Sequence, residues 1–233
     1  MNITQKGKTM YRYVLFDLDG TLTDPKEGIC KSVQYALHHM GIEEPDIDKL
    51  EPFIGPPLID SFCTFYGMDE LAAKKAVEYY RERFSVTGLY ENEVYPGIRE
   101  LLAEGKNAGG YLAVASSKPE IYVRRILDHF ELTPYFTVIV GSLMDGSRMQ
   151  KEEVVEEALR QLQQAGCEKM TRDNTAMVGD RRFDVEGAKA NHLCAVGVTY
   201  GYAQEGELEK AGADYLAHSV TQLKDWLWKD GNQ

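Results

Sequence analysis

The chain has 233 residues, enough for one large domain or for a core domain carrying a smaller insert. Its net charge of −11 argues against a nucleic-acid polymer as partner, because phosphate backbones need lysine and arginine patches. With 43% apolar and 27% charged residues the balance is that of a soluble globular protein, and no apolar run reaches the ~18–20 residues of a membrane span.

The N-terminal MNITQKGKTM lacks the apolar stretch of a secretory signal and reads as a polar lead-in. Residues 11–16, YRYVLF, are predicted to form a short apolar strand that stops at DLDGTLTD. A helix is expected over 26–40, where Ile29, Val33, Leu37 and Met40 share one face. Two further helices are expected over 57–66 and 69–83, with no strand between 24 and 93. From residue 95 the texture alternates. Helices are expected at 96–109, 119–130, 151–165, 184–191, 205–211 and 220–228. Between them lie strands at 111–117, 136–141, 175–180, 193–198 and 213–217. Such alternation with apolar strands implies an α/β fold, a doubly wound parallel sheet covered on both faces. The all-helical stretch then reads as an insertion. Residues 1–23 and 94–233 make the α/β core, and residues 24–93 an inserted α-helical cap domain. The four cysteines, Cys30, Cys63, Cys167 and Cys194, form no CxxC pair, and a reduced, cytoplasmic setting is expected.

Ligands of open parallel sheets bind at the carboxyl ends of the strands. Here those ends carry Asp17 and Asp19, then Ser116, Ser117 and Lys118, then Asp180 with Asp184 four residues on. Lys151 opens the helix after the 136–141 strand and its loop. Carboxylates gathered at one edge repel one another unless a cation intervenes. Mg²⁺ prefers oxygen ligands and commonly combines one or two carboxylates with substrate phosphate. An acidic chain that binds phosphate also needs a local positive charge, which Lys151 supplies. Ser116, with Ser117 beside it, offers hydroxyl donors. Gly20 and Thr21 suit a tight turn whose backbone N–H groups contact phosphate oxygens. Metal, phosphate and a carboxylate nucleophile in one place fit aspartyl-phosphate chemistry.

These residues resemble the motifs of the haloacid dehalogenase superfamily. DLDGTLTD resembles the first, ASSK around Ser116 the second, Lys151 stands where the third places its lysine, and VGDRRFD resembles the fourth. The helical insert directly after the first motif resembles the C1 cap of the phosphoglycolate phosphatase and 5′-nucleotidase branch. FIGPPL, with Phe53, Gly55 and Pro56, is similar to that branch's substrate-facing cap loop. The resemblance implies a Rossmann-like core and the following roles. Asp17 is nucleophile and metal ligand. Asp19 protonates the leaving oxygen, then activates water, and its main-chain carbonyl binds metal. Ser116 and Lys151 hold the phosphoryl group. Asp180 binds metal, and Asp184 orients a metal-bound water or supports the lysine.

Two departures stand out. The second motif has Ser-Ser-Lys where relatives often have Thr-Asn-Lys, and Arg148 in the loop before Lys151 has no implied role. Asp19 favours phosphoryl transfer over dehalogenation, since an alkoxide leaving group needs a proton and a halide does not. The expected activity is that of a Mg²⁺-dependent phosphatase acting on a small phosphorylated metabolite, as monomer or homodimer. The alternatives on the same core are a phosphomutase, whose fourth motif more often reads Glu-Asp-Ser, and a non-catalytic phosphate-binding regulatory module. Phosphoglycolate, nucleoside monophosphates, sugar phosphates and pyrophosphate all remain open as substrates.

Overall fold

The computed structural model describes residues 11–228; the polar lead-in read from residues 1–10 lies outside them. The chain opens with β1 (Tyr13–Phe16), reaches a two-residue strand β2 (Thr23–Asp24), and runs through helices α1 (Lys26–His39), α2 (Leu58–Tyr66) and α3 (Glu70–Arg83) to β3 (Glu93–Val94). Thereafter helix and strand alternate: α4 (Ile98–Asn107), β4 (Tyr111–Pro119), α5 (Glu120–His129), β5 (Val138–Ser142), α6 (Lys151–Gln164) and β6 (Thr175–Gly179). The chain ends through α7 (Arg182–Ala190), β7 (Cys194–Val198), α8 (Glu207–Ala211), β8 (Tyr215–Ala217) and α9 (Val220–Trp228).

Six strands form one parallel sheet in the order β5-β4-β1-β6-β7-β8. The succession reverses direction at β1, which has β4 on one side and β6 on the other. A crevice opens at such a reversal, and open α/β sheets take their ligands there. The expected doubly wound α/β fold is therefore present. Alternate residues of β1 feed the two faces of the sheet. Val14 and Phe16 join a core with Leu101 of α4, Val123 of α5 and Leu223 of α9, whereas Tyr13 and Leu15 join one with Val154 of α6 and Val185 of α7. Burial on both faces explains why YVLF is apolar throughout instead of alternating.

The inserted helices extend the first of these cores. Val33 and Leu37 of α1, Phe62 of α2 and Tyr80 of α3 are buried in the same cluster as Phe16. Ile29 is buried too, and Met40 packs partly buried against the cluster, as the helical periodicity predicts. Three features escaped that periodicity: a 3₁₀ helix at Ile47–Phe53, a π-helical turn at Phe84–Gly88, and the β2–β3 ribbon. All are too short or too irregular to leave a repeating apolar pattern.

The ribbon nevertheless matters for the architecture. Thr23 pairs with Val94 and Asp24 with Glu93, so the segment leaves and rejoins the sheet at one point. Just beyond it, the Gly28 N–H donates to the Glu91 carbonyl at 2.9 Å, and Arg83 grips the Glu91 carboxylate through two hydrogen bonds of 2.6 and 2.9 Å. Gly28 has no room for a side chain, because a Cβ would lie 2.0 Å from the Gly88 carbonyl oxygen. The obstacle is backbone, which does not swing aside. Gly28→Ala is expected to destabilise the fold by about 1–3 kcal/mol, the usual cost of overpacking, read as a lower urea midpoint; an unchanged midpoint would show that the two segments separate easily. Among the described residues no helix is long and apolar enough to cross a membrane, and all four cysteines are free thiols.

Candidate active site

Strands β1 and β6 are neighbours with Phe16 level with Val178, so Asp17 and Asp180, just past their ends, lie side by side. Asp184, in the first turn of α7, and Lys151, in the first turn of α6, complete the group. Carboxylate oxygens of Asp17, Asp180 and Asp184 all lie within 4.8 Å of one another, and all three residues are buried. The Lys151 ammonium is buried among them, 3.0 Å from Asp17 Oδ1 and 2.7 Å from Asp184 Oδ1, and it donates to the Ala115 carbonyl at 3.1 Å.

Burial disfavours the Lys151 charge, but Asp17 and Asp184 outweigh it and hold the ammonium above the ordinary lysine range. The carboxylates are pushed the other way. Burial, then the neighbouring charges of Asp184 and Asp17, drives the Asp180 carboxyl far above its usual value. Burial lifts Asp184 to about 6 despite Lys151 beside it. Fully ionised, three carboxylates around one ammonium would leave two negative charges uncompensated. An oxygen-only donor set and a deficit of positive charge fit a hard divalent cation.

The turn after β1 is shaped around this cluster. Gly20 has φ +76°, and a Cβ there would lie 2.1 Å from Asp180 Oδ2, so only glycine lets Asp180 come so close. Thr21 Oγ1 donates to Asp180 Oδ1 at 3.3 Å, and the Tyr202 N–H donates to Asp180 Oδ2 at 2.8 Å. The backbone N–H groups of Gly20 and Thr21, expected to contact phosphate, are engaged within the turn itself. The Gly20 N–H is committed to the Thr23 carbonyl at 2.8 Å and the Thr21 N–H to the Leu18 carbonyl at 3.3 Å. A turn this tight uses its own amides to close itself, and neither residue reaches the cavity wall. Both residues instead position Asp180.

A cavity of about 360 Å³ opens over Asp17 and Asp19. Ser116, Ser117 and Lys118 line it from the end of β4, and Phe53, Gly55 and Pro56 line it from the inserted segment, together with residues of α1, α2 and α3. The sequence-predicted residues Asp17, Asp19, Ser116 and Ser117 thus meet the loop residues across one space. Lys151, Asp180 and Asp184 are not on its wall and connect to it through Asp17.

Asp19 stands apart from the three-carboxylate group. Both its oxygens are held by the Lys118 ammonium, at 2.8 and 2.6 Å. Burial raises the Asp19 pKa while Lys118 works against that shift. The ammonium also lies 4.7 Å from the centre of the Phe84 ring, so a residue of the inserted segment backs the lysine that holds Asp19. Lys118 is a site residue for which the sequence suggested no role; its signal was the last position of ASSK at a strand end. Arg181 is a second. It donates to the Ile54 carbonyl and, through Nε, to Glu207 at 2.9 Å, pinning the 53–58 loop to the N-terminal end of α7. Arg148 is a third: it holds the Gly141 carbonyl at 2.8 Å and Glu120 at 3.0 Å, bracing the loop that leads to Lys151.

The family model for haloacid dehalogenase-like hydrolases matches residues 14–198. The chain belongs to that family. This hydrolase is 49% identical over 217 residues to a 5′-nucleotidase of Pseudomonas aeruginosa, covering 93% of this chain and 96% of that one. It is 39% identical over 208 residues to the tyrosine-protein kinase PtkA of Mycobacterium tuberculosis, covering 89% of this chain and 69% of that one. The crystal structure of a predicted phosphatase from Clostridium acetobutylicum matches with a TM-score of 0.86 at 46% identity, over 93% of this chain and 97% of the other.

The raised carboxyl values of the hydrolase carry a sign for stability. Asp180 and Asp184 bind protons more tightly folded than unfolded, so their stabilising effect is complete at low pH. For Asp184 it is lost as pH rises from about 4 towards about 6, and for Asp180 the loss extends higher. In EDTA the melting temperature is therefore expected to be higher near about pH 5 than near about pH 7, the reverse of ordinary acid destabilisation. Added divalent cation should raise it more at the higher pH. A metal-free protein that melts lower near pH 5 would contradict the charge deficit.

Proposed function

We propose that this hydrolase is a Mg²⁺-dependent phosphatase that cleaves a small phosphate monoester through an aspartyl-phosphate on Asp17. The observation that carries the reading is the placing of Asp17 at the cavity wall, with Lys151, Asp180 and Asp184 behind it and a separately held Asp19 two residues on. Membership of a hydrolase family and likeness to a 5′-nucleotidase and to a predicted phosphatase support phosphate ester hydrolysis. Residues 24–93 act as a cap over the core formed by 1–23 and 94–233, with the 53–58 loop facing the substrate.

Asp17 and Asp180 would hold the Mg²⁺ with the Asp19 main-chain carbonyl, and Asp184 supports the group. When bound, the ion offsets repulsion between Asp17 and the phosphate dianion and polarises the phosphoryl group. Lys151 fixes the Asp17 carboxylate in place and adds a permanent positive charge behind it. Ser116 and Ser117 donate to phosphoryl oxygens from the cavity wall. Asp17 Oδ attacks phosphorus as the bond to the leaving oxygen breaks, and Asp19 gives that oxygen its proton. Burial keeps this proton on Asp19 at higher pH than usual. The Asp19 carboxylate then takes a proton from water, whose oxygen attacks the same phosphorus. The bond to Asp17 breaks, inorganic phosphate leaves, and Asp19 is protonated again. Lys118 holds Asp19 facing the cavity through both steps.

The likeness to a protein named a tyrosine-protein kinase favours one variation. In it the second acceptor is a hydroxyl other than water, deprotonated by the same Asp19.

Phosphate release from a panel of phosphorylated metabolites, with Mg²⁺ and with EDTA, tests the proposal. Asp17→Asn is expected to lower kcat/KM by about 10³-fold or more with the fold intact. Asp19→Asn should cost about 10²–10⁴-fold and leave phosphate on the protein. Normal turnover in Asp17→Asn would rule out the covalent route. Label passing to an added hydroxyl acceptor in place of water would favour the transfer variation.

A further inference from the structure

The cavity wall carries two cations, Lys118 and Arg81. Lys118 is committed to both oxygens of Asp19. Arg81 sits in the last turn of α3, partly buried. Among the described residues its guanidinium makes no hydrogen bond and no ion pair. The contrast with its neighbour is plain. Arg83, two residues on, is fully engaged, with two hydrogen bonds to Glu91 and one to Ser32 at 3.3 Å. Asp60 also lines the cavity, from the exposed side of α2, but forms no ion pair with Arg81.

A guanidinium stays charged at every physiological pH and carries five N–H donors in a fixed fork. Partial burial strips water from it, which is unfavourable unless a partner replaces that water. The carboxylates on the core side are already spoken for, Asp17 by Lys151 and Asp19 by Lys118. Arg81 is therefore the uncompensated cation on the cavity wall, contributed by α3, whereas Asp17, Ser116 and Ser117 line the same cavity from the core strands' ends. Most of the remaining wall is apolar: Ile29, Phe53, Val77 and Phe84 offer no competing polar group. The volume, about 360 Å³, is at the small end for ligand pockets.

We propose that Arg81 is a specificity-determining residue that receives a second anionic group on the leaving-group side, so that the preferred substrate is a small phosphate monoester bearing a carboxylate or another phosphate. The inference rests on the phosphatase reading and adds to it the class of leaving group. Bidentate pairing of a guanidinium with a carboxylate or phosphate gives both orientation and discrimination. A neutral leaving group would leave Arg81 unpaired in the cavity.

The test compares kcat and KM of the wild type, Arg81→Met and Arg81→Lys on three substrates. One is 2-phosphoglycolate, whose leaving group carries a carboxylate. The second is p-nitrophenyl phosphate, and the third a nucleoside 5′-monophosphate, both with leaving groups that carry no second anion. Arg81→Met is expected to raise KM for phosphoglycolate by about 10–100-fold, the loss typical of a hydrogen bond to a charged group. Both other substrates should stay within about 2-fold, which also certifies the fold, and Arg81→Lys should recover part of the loss. Equal loss on all three substrates, or none on any, would overturn the assignment and leave the phosphatase reading standing. So would a wild type that prefers the nucleotide and loses that preference in Arg81→Met. Absence of Asp17-dependent turnover of every substrate would instead sink the phosphatase reading.

Discussion

Three buried carboxylates sharing one lysine are the constraint on which the rest of the structure turns. Asp17, Asp180 and Asp184 are buried carboxyl groups packed together, and Lys151 can neutralise only part of their charge. Such a cluster opposes folding on its own, so the surrounding chain must force it. The forcing is visible in the connectivity. Parallel pairing of β1 with β6 brings the ends of two strands together. Capping of α7 through Arg181 and Asp184 fixes the third carboxylate, with the Arg181 N–H donating to Asp184 Oδ2 at 3.0 Å. The left-handed turn at Gly20 allows the backbone to close against Asp180. Strain held in this way at one place, while the rest of the chain follows ordinary packing, is what a functional site looks like in physical terms.

The inserted helices matter because they share the cavity wall with the core and also touch residues that hold the carboxylates. Phe84 lies against the ammonium of Lys118, which holds Asp19. The 53–58 loop reaches the core through Arg181, which belongs to the same turn as Asp180 and Asp184. The segment enters and leaves through two residue pairs of the β2–β3 ribbon, and Tyr202 O–H ties that ribbon to the core by donating to Asp24. Tyr202 also gives its N–H to Asp180. Position of the helices and position of the carboxylates are therefore set by overlapping sets of residues, with Tyr202 and Arg181 in both.

The sequence made the parallel sheet and the carboxylate residues legible because both leave strong local signals. Apolar strands such as YVLF and AMVG end abruptly in aspartates, and that break needs no tertiary knowledge to see. Helix periodicity located α1 through Ile29, Val33 and Leu37, all of which are buried. What the sequence hid was pairing at long range. Nothing local in ASSK says that Lys118 will hold Asp19, ninety-nine residues away. Nothing in GDRRFD says that Arg181 will reach the Ile54 carbonyl. The turn at Gly20 and Thr21 is a different case. A glycine-threonine turn at a strand end has amide groups, and whether these face a ligand or close the turn depends on its hydrogen bonding, which residue types alone do not decide.

The acidic character of the chain also finds its place. At −11 overall, the surface repels a phosphorylated metabolite at long range, so attraction must arise within the cavity. There the carboxylates are matched by cations in order of depth. Lys151 serves Asp17 and Asp184, Lys118 serves Asp19, and Arg81 has no partner of its own among the described residues. Lys118 and Lys151 are occupied by the chain's own carboxylates and so act by holding those groups still. Only an unmatched cation adds net attraction for an incoming anion. Among the described residues Arg81 on the cavity wall meets that condition, while Asp17, Ser116 and Ser117 line the same cavity from the core. A substrate with negative charge at both ends matches that distribution better than one charged at a single end.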